Sequence, residues 1–398
     1  MHPAAKRTHE VRYAIRDVVI EARKVEATGK KVLYLNIGDP LAYDWVTPPH
    51  MIEAVHRAML DGHNGYSDSM GVPEARAAVA RSMHAEGVPY VKQDDVILAS
   101  GASEGISMAL GAILERGGNV LTPSPGYPQY TALVSFFEGV MNPYYLDEDN
   151  GWVPDLADIE KRINPETRAI ILINPNNPTG SFADEKIVRG IVDIARRHNL
   201  IILSDEIYHK LLFEGTFYSP AKLAGDVPVL VFNGLSKSYF CPGWRVGWIV
   251  VCDPENKIPE VREAIGKLAR MRLCINSQVQ YAVKPALEGP QDHIPAALKR
   301  LRERGDLCVK RLNSIHGLSC QAPRGAFYAF PRIDNPAVTC DRDFMLRLLR
   351  EEGVLWVNGG GFGQKPDTKH GRIVFLPPIE ILSESMDRIE KFVERNYR

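Results

Sequence analysis

Three apolar runs in this chain end in polar clusters: "ILINPNNPTG", "IILSDEIYHK" and "VFNGLSKSYF". The last places Lys237 directly behind Ser236, just past a stretch apolar enough to be buried. A lysine in a partly desolvated pocket loses its proton more readily than one in water, and its free amine can condense with an aldehyde. An isolated "SK" says little, since lysines near strand ends are mostly solvated. Asp205 follows the apolar run 200–203. Burying it unpaired would be costly, so it asks for a cationic or protonated partner such as a pyridinium nitrogen; capping the next helix is the ordinary alternative. Arg245 stands eight residues past Lys237, across "SYFCPGW", where Pro242 and Gly243 turn the chain back. A guanidinium there can grip a phosphate through two charge-assisted hydrogen bonds of about 1.5–3 kcal/mol each. "SGASEG" opens a helix after the run ending at Ala99 and offers the backbone N–H groups of Ala102 and Ser103 to an anion. "NPNNPTG" reads first as a proline-rich turn.

The elements that must position these residues are legible as a pattern. Short apolar runs (Val96 to Ala99, Ala169 to Ile173, Leu200 to Leu203, Val229 to Phe232, Val246 to Val251) alternate with amphipathic stretches. That pattern describes an α/β fold with a mainly parallel sheet covered on both faces. One helix, Ala183 to His198, sets Ile187, Ile191, Ile194 and Ala195 on one face. Ligands of open α/β sheets bind beyond the carboxyl ends of the strands, so Asn177, Asp205, Tyr208, Ser236 and Lys237 should share one crevice. The last hundred residues read as a smaller α+β unit: a long charged helix before His316, a strand in "GAFYAFP", a helix Asp341 to Glu352 and a strand Arg372 to Phe375. The N-terminal segment, too short to fold alone, should pack with it. The division expected is a large domain at 48–290 and a small one made of 1–47 with 291–398.

Composition sets the broad class. The 398 residues carry a formal charge of -1 and 45% hydrophobic residues, with no electrostatic bias toward nucleic acid or an anionic membrane. Small molecules are the expected partners. Six cysteines without a CxxC pair imply reduced thiols, the N-terminal residues lack the apolar core of a signal peptide, and no apolar run of about 18 residues occurs. A cytoplasmic protein without a metal site is expected. Cys241 alone lies beside the proposed chemistry, which needs no thiol.

Individually weak, these signals are jointly specific in order and spacing. "NPNNPTG", "SDEIY" and "SKxxxxxGxRxGW" together resemble the class I pyridoxal-phosphate aminotransferases of fold type I, over nearly the whole chain. Within that class "LNIGDP", "NGLSKSYFCPGWRVGW", "MRLCIN", "RGAFYAFP" and "FLPPIEIL" look closest to the alanine (glutamate–pyruvate) aminotransferases. The resemblance implies a seven-stranded, mainly parallel sheet, pyridoxal 5'-phosphate as cofactor, and a homodimer with shared active sites. It implies that Lys237 forms the internal aldimine and shuttles the substrate proton, that Asp205 keeps the ring nitrogen protonated, and that Asn177 and Tyr208 hydrogen-bond the ring's 3' oxygen. Tyr127 would stack on the ring. Ala102, Ser103, Ser236, Arg245 and, from a second subunit, Tyr66 would hold the phosphate. Arg372 would pair with the substrate's α-carboxylate, and Gly38 would let backbone approach the substrate. Two departures stand out: Gly234 occupies a place where the class often has serine, and "VNGGGFG" replaces a common proline-glycine turn.

Two rival classes fit less well. A short-chain dehydrogenase would need its tyrosine and lysine one helical turn apart, whereas Pro220 falls between Tyr218 and Lys222, and Ser107 replaces the last glycine of the phosphate loop. A transcriptional regulator would need a DNA-binding module that the residues before Asn36 are too few and too weakly basic to supply. Pyridoxal-phosphate β-lyases share the cofactor and differ in which Cα bond is aligned. The expected reaction is L-alanine with 2-oxoglutarate, aspartate being the alternative donor. Arg12, Arg16, Arg270, Arg272 or a polar side chain remain open as the holder of a distal carboxylate.

Overall fold

Runs that are apolar on both sides become strands where helices cover both faces of a sheet. The computed structural model describes residues 2–9, 11 and 14–397, the side chains of 16 and 17 apart. Its first nine strands are β1 (Leu33–Tyr34), β2 (Val96–Ala99), β3 (Asn119–Ser124), β4 (Val140–Asp147), β5 (Val153–Pro154), β6 (Thr167–Ile173), β7 (Ile201–Asp205), β8 (Val229–Gly234) and β9 (Gly247–Cys252). All but β1 form one sheet in the order β2-β9-β8-β7-β6-β3-β4-β5. The pairs from β8 through β4 are parallel; β9 is antiparallel to both β8 and β2, and β5 is antiparallel to β4. Every residue of β2, β3, β8 and β9 is buried, which explains their unbroken apolar character.

The sheet has eight strands where seven were expected. The extra strand is the two-residue edge β5, paired through Leu146 with Pro154 and Asp147 with Val153. A proline is tolerated there because an edge strand need not donate on its outer side. One face of the sheet packs Ile97, Ile171, Leu203 and Ile249 beneath the helices Ala102–Ile113 and Pro259–Met271. The other buries Leu98, Ile170, Ile202 and Val231 against the helix Glu185–His198. That helix starts later than expected because Asp184 caps it, accepting from the Ile187 N–H at 3.1 Å, and it ends where Asn199 turns left-handed at φ 53°. Its buried face centres on Val188, Ile191 and Val192, with Ile187 only partly covered.

The C-terminal residues add β10 (Leu318–Ser319), β11 (Tyr328–Ala329), β12 (Arg332–Ile333), β13 (Val354–Leu355), β14 (Val357–Asn358) and β15 (Gly371–Val374). β15 lies antiparallel between β11 and β14. The helices His293–Ser314 and Asp341–Glu352 match the expected ones, and a further helix, Ile379–Asn396, closes the chain. The N-terminal segment does pack with these elements: β1 pairs in parallel with β13, and the Val374 N–H donates to the Leu35 carbonyl at 2.9 Å. Among the described residues no helix is long and apolar enough to cross a membrane.

Candidate active site

The carboxyl ends of the parallel strands open into a cavity of about 860 Å³. Its walls include Gly38, Ala102, Ser103, Tyr127, Asn177, Asp205, Tyr208, Ser236, Lys237, Arg245 and Arg372. All the expected site residues except Tyr66 thus converge there. Tyr66 is 87% exposed and outside the lining.

Lys237 follows β8 and points into this cavity, donating from Nζ to the Gly38 carbonyl at 2.6 Å. Burial pushes its ammonium down to about 8; the charge of Asp39 opposes the shift, and Arg372 and Arg245 assist it. Asp205 ends β7, where successive side chains alternate between faces, so it enters the cavity while Glu206 turns behind the sheet toward Ser204 and Ser219. Burial raises the Asp205 carboxyl to about 6, against the lowering effect of the Ile207 N–H and the Tyr130 hydroxyl, which donates to Oδ2 at 3.1 Å. An acid held this deep without an ion-pair contact among the described residues suits a cationic ring nitrogen. Tyr208 Oη lies 2.7 Å from Tyr328 Oη, and burial raises the Tyr208 phenol well above its ordinary value.

An anion cradle closes one end. Gly101 turns left-handed at φ +79° and starts the helix Ala102–Ile113, so its first N–H groups face the cavity. Arg245, itself left-handed at φ 56° after the turn Pro242–Trp244, brings Nη2 to 3.0 Å from both Ser103 Oγ and the Ser100 carbonyl. A Cβ on Gly247 would strike the Ala102 backbone nitrogen, so the cradle needs glycine there. A Cβ on Gly234 would lie 2.6 Å from the Val246 carbonyl oxygen, so the hydroxyl common in the class has no room.

At the other end Arg372, on β15 and 1% exposed, donates from Nη1 to Asn177 Oδ1 at 3.0 Å and from Nη2 to the Asn36 carbonyl. Its guanidinium is clamped between the rings of Tyr328, 4.7 Å away, and Phe362, 4.8 Å away. The "VNGGGFG" loop forms the turn Gly359–Phe362 that sets this second ring, and its Phe362 carbonyl accepts from the Gly126 N–H at 2.9 Å. Gly38 has Tyr328 Oη where a Cβ would stand, so a side chain has no room there.

An amine with a depressed proton affinity, a buried acid across from it, an anion cradle and a clamped guanidinium fit pyridoxal phosphate and an amino acid's carboxylate. Tyr130, Tyr328 and Phe362 were not singled out in the sequence. "GAFYAFP" drew notice as a strand and as part of the family resemblance, with no role for its tyrosine, which depends on meeting Tyr208, 120 residues away. Arg270 pairs with Glu263, and Arg272 is spent on the carbonyls of Ser69 and Leu98; neither lines the cavity. Arg12 and the Arg16 side chain lie outside the described residues. Tyr218 and Lys222 also fail as a dehydrogenase pair, since Pro220 opens the short helix Pro220–Ala224 and leaves Tyr218 outside it.

Residues 30–389 match the family model described as aminotransferase class I and II. The chain is 41% identical over 391 residues to alanine aminotransferase of Mycobacterium tuberculosis, covering 96% of this chain and 91% of that protein. It is 40% identical to the glutamate-pyruvate aminotransferase of Escherichia coli K12, with 99% and 98% covered. A solved alanine aminotransferase from Pyrococcus furiosus superposes with a TM-score of 0.96 at 47% identity, covering 99% of this chain and 100% of that one. Aspartate aminotransferase from Thermus thermophilus, solved with maleate, gives 0.89 at 28%, with 98% and 100% covered.

Proposed function

Because the chain belongs to the class I and II aminotransferases, we propose that it moves the amino group of L-alanine to 2-oxoglutarate in two half-reactions, forming pyruvate and L-glutamate. It is a pyridoxal-phosphate-dependent transaminase. Pyridoxal phosphate, when bound, supplies an aldehyde for the amino group and an electron-withdrawing ring. The observation that carries the reading is the partly buried Lys237 amine, lowered to about 8 by desolvation, in one cavity with Asp205 and Arg372.

Each residue then has a task. Lys237 Nζ anchors the cofactor and afterwards takes and returns the proton at the substrate Cα; a proton affinity lowered toward neutrality suits an acid–base role. Asp205 would face the ring nitrogen and hold its proton, and a cation there would favour its ionised form. Tyr208 and Asn177 would orient the ring's 3' oxygen, and Tyr127 would cover a ring face. Ala102, Ser103, Ser236 and Arg245 bind the phosphate with backbone dipoles, hydroxyls and a cation. Arg372 presents a planar fork to the α-carboxylate, and the aromatic clamp keeps that fork in one orientation.

The working form is a homodimer in which Tyr66 of the partner subunit completes the phosphate site. Its exposure in the single chain supports this, as does that of Leu60, Met271 and Leu273. The division at 48–290 places the large sheet in one domain and β10 to β15 in the other. A cytoplasmic location accords with six free cysteines. The test is the half-reaction: alanine alone should bleach the cofactor's visible band and release stoichiometric pyruvate. Turnover confined to aspartate or aromatic donors would end the alanine assignment, and elimination or decarboxylation products would end transamination.

A further inference from the structure

Two residues before Arg372, His370 is 1% exposed and takes no part in the chemistry assigned above. Its Nε2 lies 3.1 Å from Glu148 Oε1, and its Nδ1 lies 3.1 Å from Gln364 Oε1. The orientation of Gln364 is fixed by its own donations, from Nε2 to Asp341 Oδ2 at 2.9 Å and to the Thr368 carbonyl at 2.8 Å. Both imidazole nitrogens therefore face acceptors. The ring stacks on Phe330 at 4.9 Å and 3°, and Trp152 meets both rings edge-on at 5.3 and 5.6 Å.

These residues come from two parts of the fold. Glu148 and Trp152 belong to the turn between β4 and β5 at the edge of the large sheet, while Phe330 and His370 flank the C-terminal strands. Glu148 also meets Arg332 Nη1 at 3.4 Å, and Arg332 forms an isolated antiparallel bridge with His370. The turn is thus wedged into the C-terminal sheet by an aromatic ring and held by a carboxylate. The wedge leads to the substrate side: Phe330 packs edge-on against Phe362 at 6.0 Å, and Phe362 is one jaw of the Arg372 clamp. Residues two apart on a strand share a face, so His370 and Arg372 lean on neighbouring rings of one row.

We propose that His370 is a positioning residue that, by gripping Glu148 of the β4–β5 turn, fixes β15 and hence the angle at which Arg372 meets the substrate carboxylate. The proposal rests on the assignment of Arg372 as the carboxylate residue. A fork must be held closely to act as one, and a shift of about 1 Å transmitted from outside the chemistry can cost on the order of a hundredfold.

The test uses the holoenzyme and two variants. His370→Phe keeps an aromatic ring and removes both polar contacts; Glu148→Gln keeps the volume and removes the charge. Half-reaction kinetics are measured with alanine and with alaninamide, which lacks the carboxylate, alongside pyridoxal-phosphate affinity. Both variants should bind alanine roughly tenfold more weakly, react with alaninamide as the wild type does, and keep cofactor affinity within about twofold. Combining either with Arg372→Lys should add little further loss. Equal losses for alanine and alaninamide, or unchanged alanine binding in a folded Glu148→Gln enzyme, would overturn the proposal. If His370→Phe does not fold, the Glu148→Gln result decides alone. If Arg372→Lys itself leaves alanine binding unchanged, the carboxylate assignment fails instead, which separates the two.

Discussion

Replacing Lys237 with methionine should make the cofactor-free protein more stable at neutral pH while destroying its activity. The lysine's proton affinity falls from 10.5 to about 8 on burial, a shift worth about 3 kcal/mol against the folded state. Methionine fills similar volume without a charge, but it leaves the Gly38 carbonyl without the 2.6 Å Nζ donor, a loss of about 1 kcal/mol. The net gain is about 2 kcal/mol, which at this chain length raises the midpoint by about 2 °C. The gain has a defined pH window. Below about 8 the lysine is protonated in both folded and unfolded chains, so the full cost applies. Between about 8 and 10.5 the folded chain sheds the proton while the unfolded chain keeps it, and the cost fades. Thermal and guanidinium unfolding of both apo proteins at pH 7 and pH 10 is the assay, and the advantage of the variant should vanish at the higher pH. A Lys237→Met protein no more stable than wild type at pH 7, or one whose advantage is unchanged at pH 10, would refute the claim that Lys237 is held at a desolvation cost.

Three further outcomes are expected. Arg372→Lys replaces a clamped fork with a point charge and should weaken alanine binding by about 1.5–3 kcal/mol, roughly ten- to a hundredfold, in half-reaction titrations. Asp205→Asn preserves shape and removes the charge facing the ring nitrogen; single-turnover kinetics should show a loss on the order of a hundred- to a thousandfold with the fold intact. Gly234→Ser should destabilise the protein rather than improve phosphate binding, because its Cβ would lie 2.6 Å from the Val246 carbonyl oxygen; a raised melting temperature in the serine variant would contradict this.

The parts of this molecule that were legible share a physical cause. β2, β8 and β9 lie buried on both faces, so they are written as unbroken apolar runs, and the polar residues at the ends of β6, β7 and β8 stand out against them. The helix Asp341–Glu352 is closed by Gly353 at φ 70°, a stop visible in the sequence. β3 and β4 hide because each contains a proline, Pro123 and Pro143, which ordinarily argues against a strand. In β3 the pairing with β6 ends at Leu121, so Pro123 removes no donor from that ladder. Tyr130, Tyr328 and Phe362 escaped notice because an aromatic residue in an apolar stretch looks like core until folding brings it against Asp205, Tyr208 or Arg372. Tyr66 shows the converse: the resemblance gives it a phosphate role, yet in the single chain it stands 87% exposed, outside the cavity lining.

The central claim is that one amine facing the cavity, Nζ of Lys237, anchors the cofactor. Borohydride reduction of the pyridoxal-phosphate-loaded protein, followed by proteolysis and mass spectrometry of the peptides, tests it most directly. A single pyridoxyl mass on the peptide containing Lys237 is the predicted result; a label on any other lysine, or none despite a saturated visible band, would contradict it.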